Sequence, residues 1–199
     1  MTRQRGEWAF ASAGFAFAGI YLAAGGLMPL MVLYRDRWAV SSALMTLAFA
    51  VFAPAFLAAI LTVGSLSDRI GRRPVLIGAM LIQIGSIVMF LVAPNVGWVI
   101  AARVVQGFAT GLATATLGAA IMDTDRNRGP VLNSITAFIG LTAGSLGGGA
   151  LVTYAPDPQQ FVYAVLLALS AAEALVLWYM PETVTPKPGV LASLRPHVS

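Results

Sequence analysis

Cysteine is absent from the 199 residues, histidine occurs once, and charged side chains make up only 10% of the chain. Without cysteine there is no disulfide, no thiol chemistry and no thiolate metal site. The single histidine, His197, stands in the terminal tail, beyond the last apolar segment. A serine nucleophile needs a base within hydrogen-bond reach, so Gly144-Ser145 cannot belong to an intramembrane serine protease, and no enzymatic activity is expected. No metal or cofactor is expected either. The scarcity of charge is equally informative, because a soluble domain keeps roughly a quarter of its residues charged to cover its surface.

What is present is apolar: 58% of the residues are hydrophobic and the mean hydropathy is +0.82. The charges cluster between long apolar runs, which is the distribution of a chain whose solvent is lipid. A pI near 10 raises the question of nucleic acid. No basic tract with interleaved aromatics supports such a partner, so the cations read as a topology signal. Arg3 and Arg5 precede an apolar run as in a signal peptide, but the run continues from Trp8 to about Tyr34, well past a signal core. It reads as a retained first helix.

Crossing a hydrocarbon layer about 30 Å thick takes roughly 20 helical residues. Six segments qualify, approximately 8–34, 41–66, 74–93, 96–122, 130–154 and 160–180. Their continuous apolarity, without two-residue alternation, predicts an all-α membrane protein rather than a barrel. Residues 1–182 form the expected transmembrane bundle, and 183–199 a cytoplasmic tail or the start of a linker between domains. With the N-terminus inside, the inner side carries Arg3, Arg5, Arg69, Arg72, Arg73, Arg126, Arg128, Lys187 and Arg195, against Arg35 and Arg37 outside. That asymmetry predicts a multi-pass protein of the cell membrane with both termini cytoplasmic.

The densest motif is the second loop, Gly64-Ser65-Leu66-Ser67-Asp68-Arg69-Ile70-Gly71-Arg72-Arg73. A positive-inside loop accounts for the arginines but not for Asp68 or the two glycines, which suit a tight turn between close helices. The loop resembles the G-x-L-(S/A)-D-R-x-G-R-(R/K) signature of the major facilitator superfamily, at every defined position. Arg103-Val104-Val105-Gln106-Gly107 resembles the same family's R-x-x-Q-G motif. Arg103 lies about 10 Å into its helix, where a buried arginine costs about 2.5–3.5 kcal/mol and normally faces a cavity or a partner. Snorkelling to the interface is the alternative.

The fifth segment carries Gly140, Gly144, Gly148 and Gly149 and resembles the family's antiporter motif, with Ser145 in place of the proline. Glycines at four-residue spacing form a flat packing face, and Gly107, Gly111 and Gly118 form a similar one on the fourth segment. Met180-Pro181-Glu182-Thr183 resembles the ending common after the family's sixth helix.

The resemblance implies an N-terminal six-helix bundle of the major facilitator type, two three-helix units related by pseudo-symmetry. It implies a secondary transporter that moves a small molecule by alternating access, coupled to protons, with drug efflux as the leading expectation. Asp68 and Arg72 would join Asp123 in a conformational-switch cluster, with Gly64, Arg69, Gly71 and Arg73 completing the loop. Arg103 and Gln106 become candidates for proton coupling. Glu173, a carboxylate well inside an apolar segment, is a third, although helix contact or snorkelling is the first expectation at a peripheral sixth helix. Tyr21, Met28, Met31 and Arg35 on the first segment, with Thr110 and Thr114 on the fourth, are candidates for the substrate cavity.

Six segments supply one wall of such a cavity. The expected partners are therefore the lipid bilayer, a small-molecule substrate, the proton, and a second six-helix bundle from the same polypeptide, a homodimer or a heterodimer. The polar tail ending in His197-Val198-Ser199 favours a linker leading onward. A non-transporting assembly or regulatory module, which would keep the glycine faces without needing Arg103, is the alternative.

Overall fold

The computed structural model describes residues 3–179, so the expected tail lies outside the described residues. Eight helices make six crossings: α1 (Arg3–Gly26), α2 (Leu30–Trp38), α3 (Ser42–Ala50), α4 (Phe52–Ile70), α5 (Arg72–Leu91), α6 (Val96–Thr124), α7 (Gly129–Tyr154) and α8 (Pro158–Tyr179). The described part is all-helical, and six of its continuous stretches are long and apolar enough to span a membrane.

The first two spans are each broken where unbroken helices were expected. A proline inside a helix lacks the N–H for the carbonyl four residues back, and its ring crowds that carbonyl. Pro29 places this conflict at Gly25, and α1 ends at Gly26; Pro54 places it at Ala50, where α3 ends. A tighter bond from Met28 N to Gly25 O (3.0 Å) carries the chain round the first break. The other connections are capped locally. Asn95 Oδ1 accepts from Trp98 N (3.1 Å) at the start of α6, and Asp125 Oδ1 accepts from Asn127 N and Arg128 N before α7.

Glycine seams fix how the helices approach. A Cβ on Gly140, Gly144 or Gly148 of α7 would strike the carbonyl oxygens of Ala18, Leu22 and Gly26 on α1. Both series advance by four residues, so α1 and α7 run parallel with their backbones almost touching. A Cβ on Gly107 or Gly111 of α6 would likewise strike the carbonyls of Phe52 and Phe56 on α4. Gly118 departs from the expected face: only Asn133 Nδ2, at 3.4 Å, stands near its missing Cβ.

The pairing of spans repeats when one, two and three are exchanged with four, five and six. Span four on two becomes one on five, and three on four becomes six on one. This agrees with a three-plus-three arrangement. Two cores follow along the bundle. One, towards the 64–73 loop, gathers Phe17, Ile20, Leu76, Met80, Leu117, Ile121 and Leu177; the other, towards the opposite end, gathers Leu27, Tyr34, Ile87, Phe90, Val99 and Tyr163. Large apolar side chains such as Leu61, Phe138 and Leu146 face outward, as lipid contact requires.

A recess around Arg103 and a charge lock at the loop end

Arg103 does not snorkel. Its residue is only 3% exposed, and its guanidinium lies 5.3 Å from the Phe49 ring centroid and 5.5 Å from that of Phe52. Nη1 donates to Gln106 Oε1 (2.7 Å), one helical turn on, while Arg103 Nε and Gln106 Nε2 find no partner. Cation–π contact offsets part of the cost of burial.

Arg103 borders a recess of about 230 Å³ lined also by Tyr21, Ala24, Met28, Phe49, Phe52 and Leu141. Tyr21 and Met28, two of the residues expected to share a face of the first segment, both line it. Thr114 is held to the same wall, its Oγ1 donating to the Tyr21 hydroxyl (3.3 Å). Thr110 is fully buried on α6 with its hydroxyl unpartnered. Met31 and Arg35 lie elsewhere, because the break before α2 removes them from the face that carries Tyr21 and Met28. Met31 packs in the Tyr34–Phe90 core, and Arg35 is exposed. Phe49 and Phe52 were not anticipated; Pro54 was the signal, since the break it causes falls between these two residues, whose rings both lie against the Arg103 guanidinium.

At the loop end, α4 passes to α5 through Gly71 alone, at φ 103° and ψ 155°. A residue with a Cβ is strained there, so this glycine of the motif answers to backbone geometry. Arg72 then turns inward. Its Nε and Nη2 donate to Asp123 Oδ2 at 3.2 and 3.1 Å, and Nη1 donates to Ser67 Oγ. The guanidinium of Arg73 lies 5.3 Å from the Trp178 ring centroid on α8. Gly64 stands within α4, and the side chains of Asp68 and Arg69 lie outside what the structure describes.

Glu173 is helix-buried rather than snorkelling: it is 2% exposed and lies over Gly19 of α1. Ser145, at the proline position of the antiporter-like motif, donates to Gly25 O (3.5 Å) and so adds a polar stitch to the α1–α7 seam.

The family model of the Major Facilitator Superfamily matches residues 13–197. The chain belongs to that superfamily. Among its relatives, the multidrug resistance protein MdtL of Klebsiella pneumoniae is 29% identical over 163 residues, covering 79% of this chain and 41% of the relative. MdtL of Escherichia coli is 32% identical over 163 residues, covering 79% and 40%. The multidrug transporter AQR1 of Candida glabrata is 31% identical over 137 residues, covering 67% and 23%. The chain therefore spans well under half the length of these relatives.

Two solved structures share the fold. The human organic anion transporter MFSD10 superposes with a TM-score of 0.72 at 18% identity, over 93% of this chain and 50% of that one. A bacterial homolog of the human lysosomal transporter Spinster, inward-facing and unoccupied, gives 0.75 at 14% identity, over 98% and 47%. At these identities the likeness concerns architecture alone: this major facilitator chain corresponds to about half of each transporter.

Proposed function

We propose that this bundle is the N-terminal half of a secondary transporter, working by alternating access, coupled to protons and exporting small, drug-like molecules. The observation that carries the reading is Arg103, buried on the wall of an aromatic recess with N–H groups left open. Burying a cation costs energy that packing alone does not require, and a non-transporting module has no use for it. The Met and aromatic lining suits varied apolar cargo. The multidrug names of several relatives agree with this cargo class.

The second wall comes from another six-helix bundle, in the same polypeptide or in a partner. Both termini are cytoplasmic, following the distribution of Lys and Arg. Arg72 and Asp123 then form a cytoplasmic lock that holds one arrangement of the bundles and opens as they rock.

The test is the intact mass and oligomeric state of the product of the native gene in detergent. A polypeptide of about twice 20.8 kDa, or a stable dimer of 199-residue chains, is expected. A stable monomer of that smaller size would count against transport.

A further inference from the structure

Behind α1, away from the recess, lies a second buried polar group, the Glu173 carboxyl, apart from Arg103. Gly19 and Tyr21 are two positions apart on a helix of 3.6 residues per turn, so they point to nearly opposite sides. Tyr21 faces the recess and Thr114; Gly19 faces α8, where a Cβ would overlap the carboxyl group of Glu173. The glycine is the space that the carboxyl group fills.

Glu173 has company at that depth. Ser170 stands one turn away on the same face of α8, fully buried with its hydroxyl unpartnered. Gln83 of α5 is also fully buried, with neither amide atom partnered. The register brings them together. α5 and α8 run antiparallel, with Arg73 over Trp178 at one end and Phe90 stacked on Tyr163 at the other. Equal steps from those two contacts set Gln83 opposite Ala168 to Ser170, about one turn from Glu173. Three buried polar side chains with unused hydrogen-bonding atoms thus lie within about two turns of one another along the α5–α8 contact.

Among the described residues, no ion pair to this carboxyl group is present. On α1 the residues a turn either side of Gly19, Ala16 and Ala23, are buried and apolar, and Tyr21 points the other way. On α5, Arg72 is committed to Asp123, and Arg73 lies over Trp178, more than a turn further along α8. On α7 the one titratable side chain is Tyr154, exposed at the far end. An ionised carboxylate buried without a partner is among the costliest arrangements in a protein, whereas a neutral acid can donate its O–H to a neighbouring oxygen.

We propose that Glu173 is a proton-binding site, holding its proton between α1 and α8 in the space that Gly19 leaves open. Loss of the proton leaves a bare charge against Gly19, so α1 must move off α8 or admit water. Because α1 also carries Tyr21 and Met28 of the recess, proton occupancy and recess shape are linked through one helix. Only this linkage rests on the transport reading; the proton site does not.

The test is infrared difference spectroscopy on the purified full-length gene product, titrated from neutral to alkaline pH in choline chloride. The expected result is a protonated carboxylic acid C=O band at neutral pH. It shifts in heavy water, vanishes as pH rises and is missing in Glu173→Gln. Glutamine keeps the shape and neutrality of the acid, so that variant folds if the proposal is right. Identical spectra for wild type and Glu173→Gln would overturn the site. A band that disappears when sodium replaces choline at fixed pH would overturn it in favour of a metal cation. An unchanged pH dependence of transport in Glu173→Gln, with the band lost, would leave the site standing and overturn its linkage to the recess.

Discussion

Arg72, in the first turn of α5, donates two hydrogen bonds to one oxygen of Asp123, in the last turn of α6. Each side chain sits at the helix end that disfavours its charge, a cation at an N-terminus and an anion near a C-terminus. Each is therefore the other's compensation. The pair is poised: stable while joined, and unfavourable on both sides once separated.

Asp123→Ala removes the carboxylate from a nearly buried guanidinium that keeps its bond to Ser67 Oγ, and should lower stability by about 1–3 kcal/mol. The double variant Arg72→Ala/Asp123→Ala should lose less than the sum of the two single variants. Thermal melting of the four proteins in one detergent reads the coupling directly. Additive losses would mean that the pair does not act as a unit.

The glycine seam makes a sharper comparison. Gly144→Ala drives a methyl group into the Leu22 carbonyl, whereas Gly147→Ala, three residues on, meets nothing within 4 Å. Overpacking of this kind costs about 1–3 kcal/mol. Gly144→Ala should melt several degrees lower than Gly147→Ala, which should match the wild type. Equal melting of the two variants would contradict the α1–α7 contact.

At the opposite end, the Tyr34 hydroxyl donates to Phe90 O (2.9 Å), bonds the Tyr163 hydroxyl and receives Gln159 Nε2 at 3.5 Å. With its own proton on Phe90 O, Tyr34 takes the proton of Tyr163. Tyr34→Phe therefore breaks all three bonds and Tyr163→Phe only one. Tyr34→Phe should cost more, by about 1 kcal/mol for each further bond lost. Melting of the two variants checks the order.

The six crossings, the short loops and the glycine seams were legible because lipid demands long apolar runs and close packing demands small residues at fixed spacing. The breaks at Pro29 and Pro54 were visible as residues but not as breaks, since a membrane helix sometimes carries a proline without ending. That choice moved Met31 and Arg35 away from the recess and set Phe49 and Phe52 against Arg103. The Tyr34–Tyr163 contact joins residues 129 positions apart. No local pattern announces such a pair. Glu173 stood out as a lone acid in an apolar run, but its burial depends on Gly19, a small residue on another helix.

Arg103 carries the central claim. The most direct measurement is proton-gradient-driven movement of a panel of amphipathic drugs in proteoliposomes holding the full-length gene product, wild type against Arg103→Ala and Arg103→Lys. The account predicts movement by the wild type and its loss in Arg103→Ala at equal reconstitution. Arg103→Lys should be impaired as well, because an ammonium cannot reproduce the planar fork between two rings. Wild-type rates in Arg103→Ala would contradict the account, and so would a wild-type protein that moves none of the panel while its recess binds them.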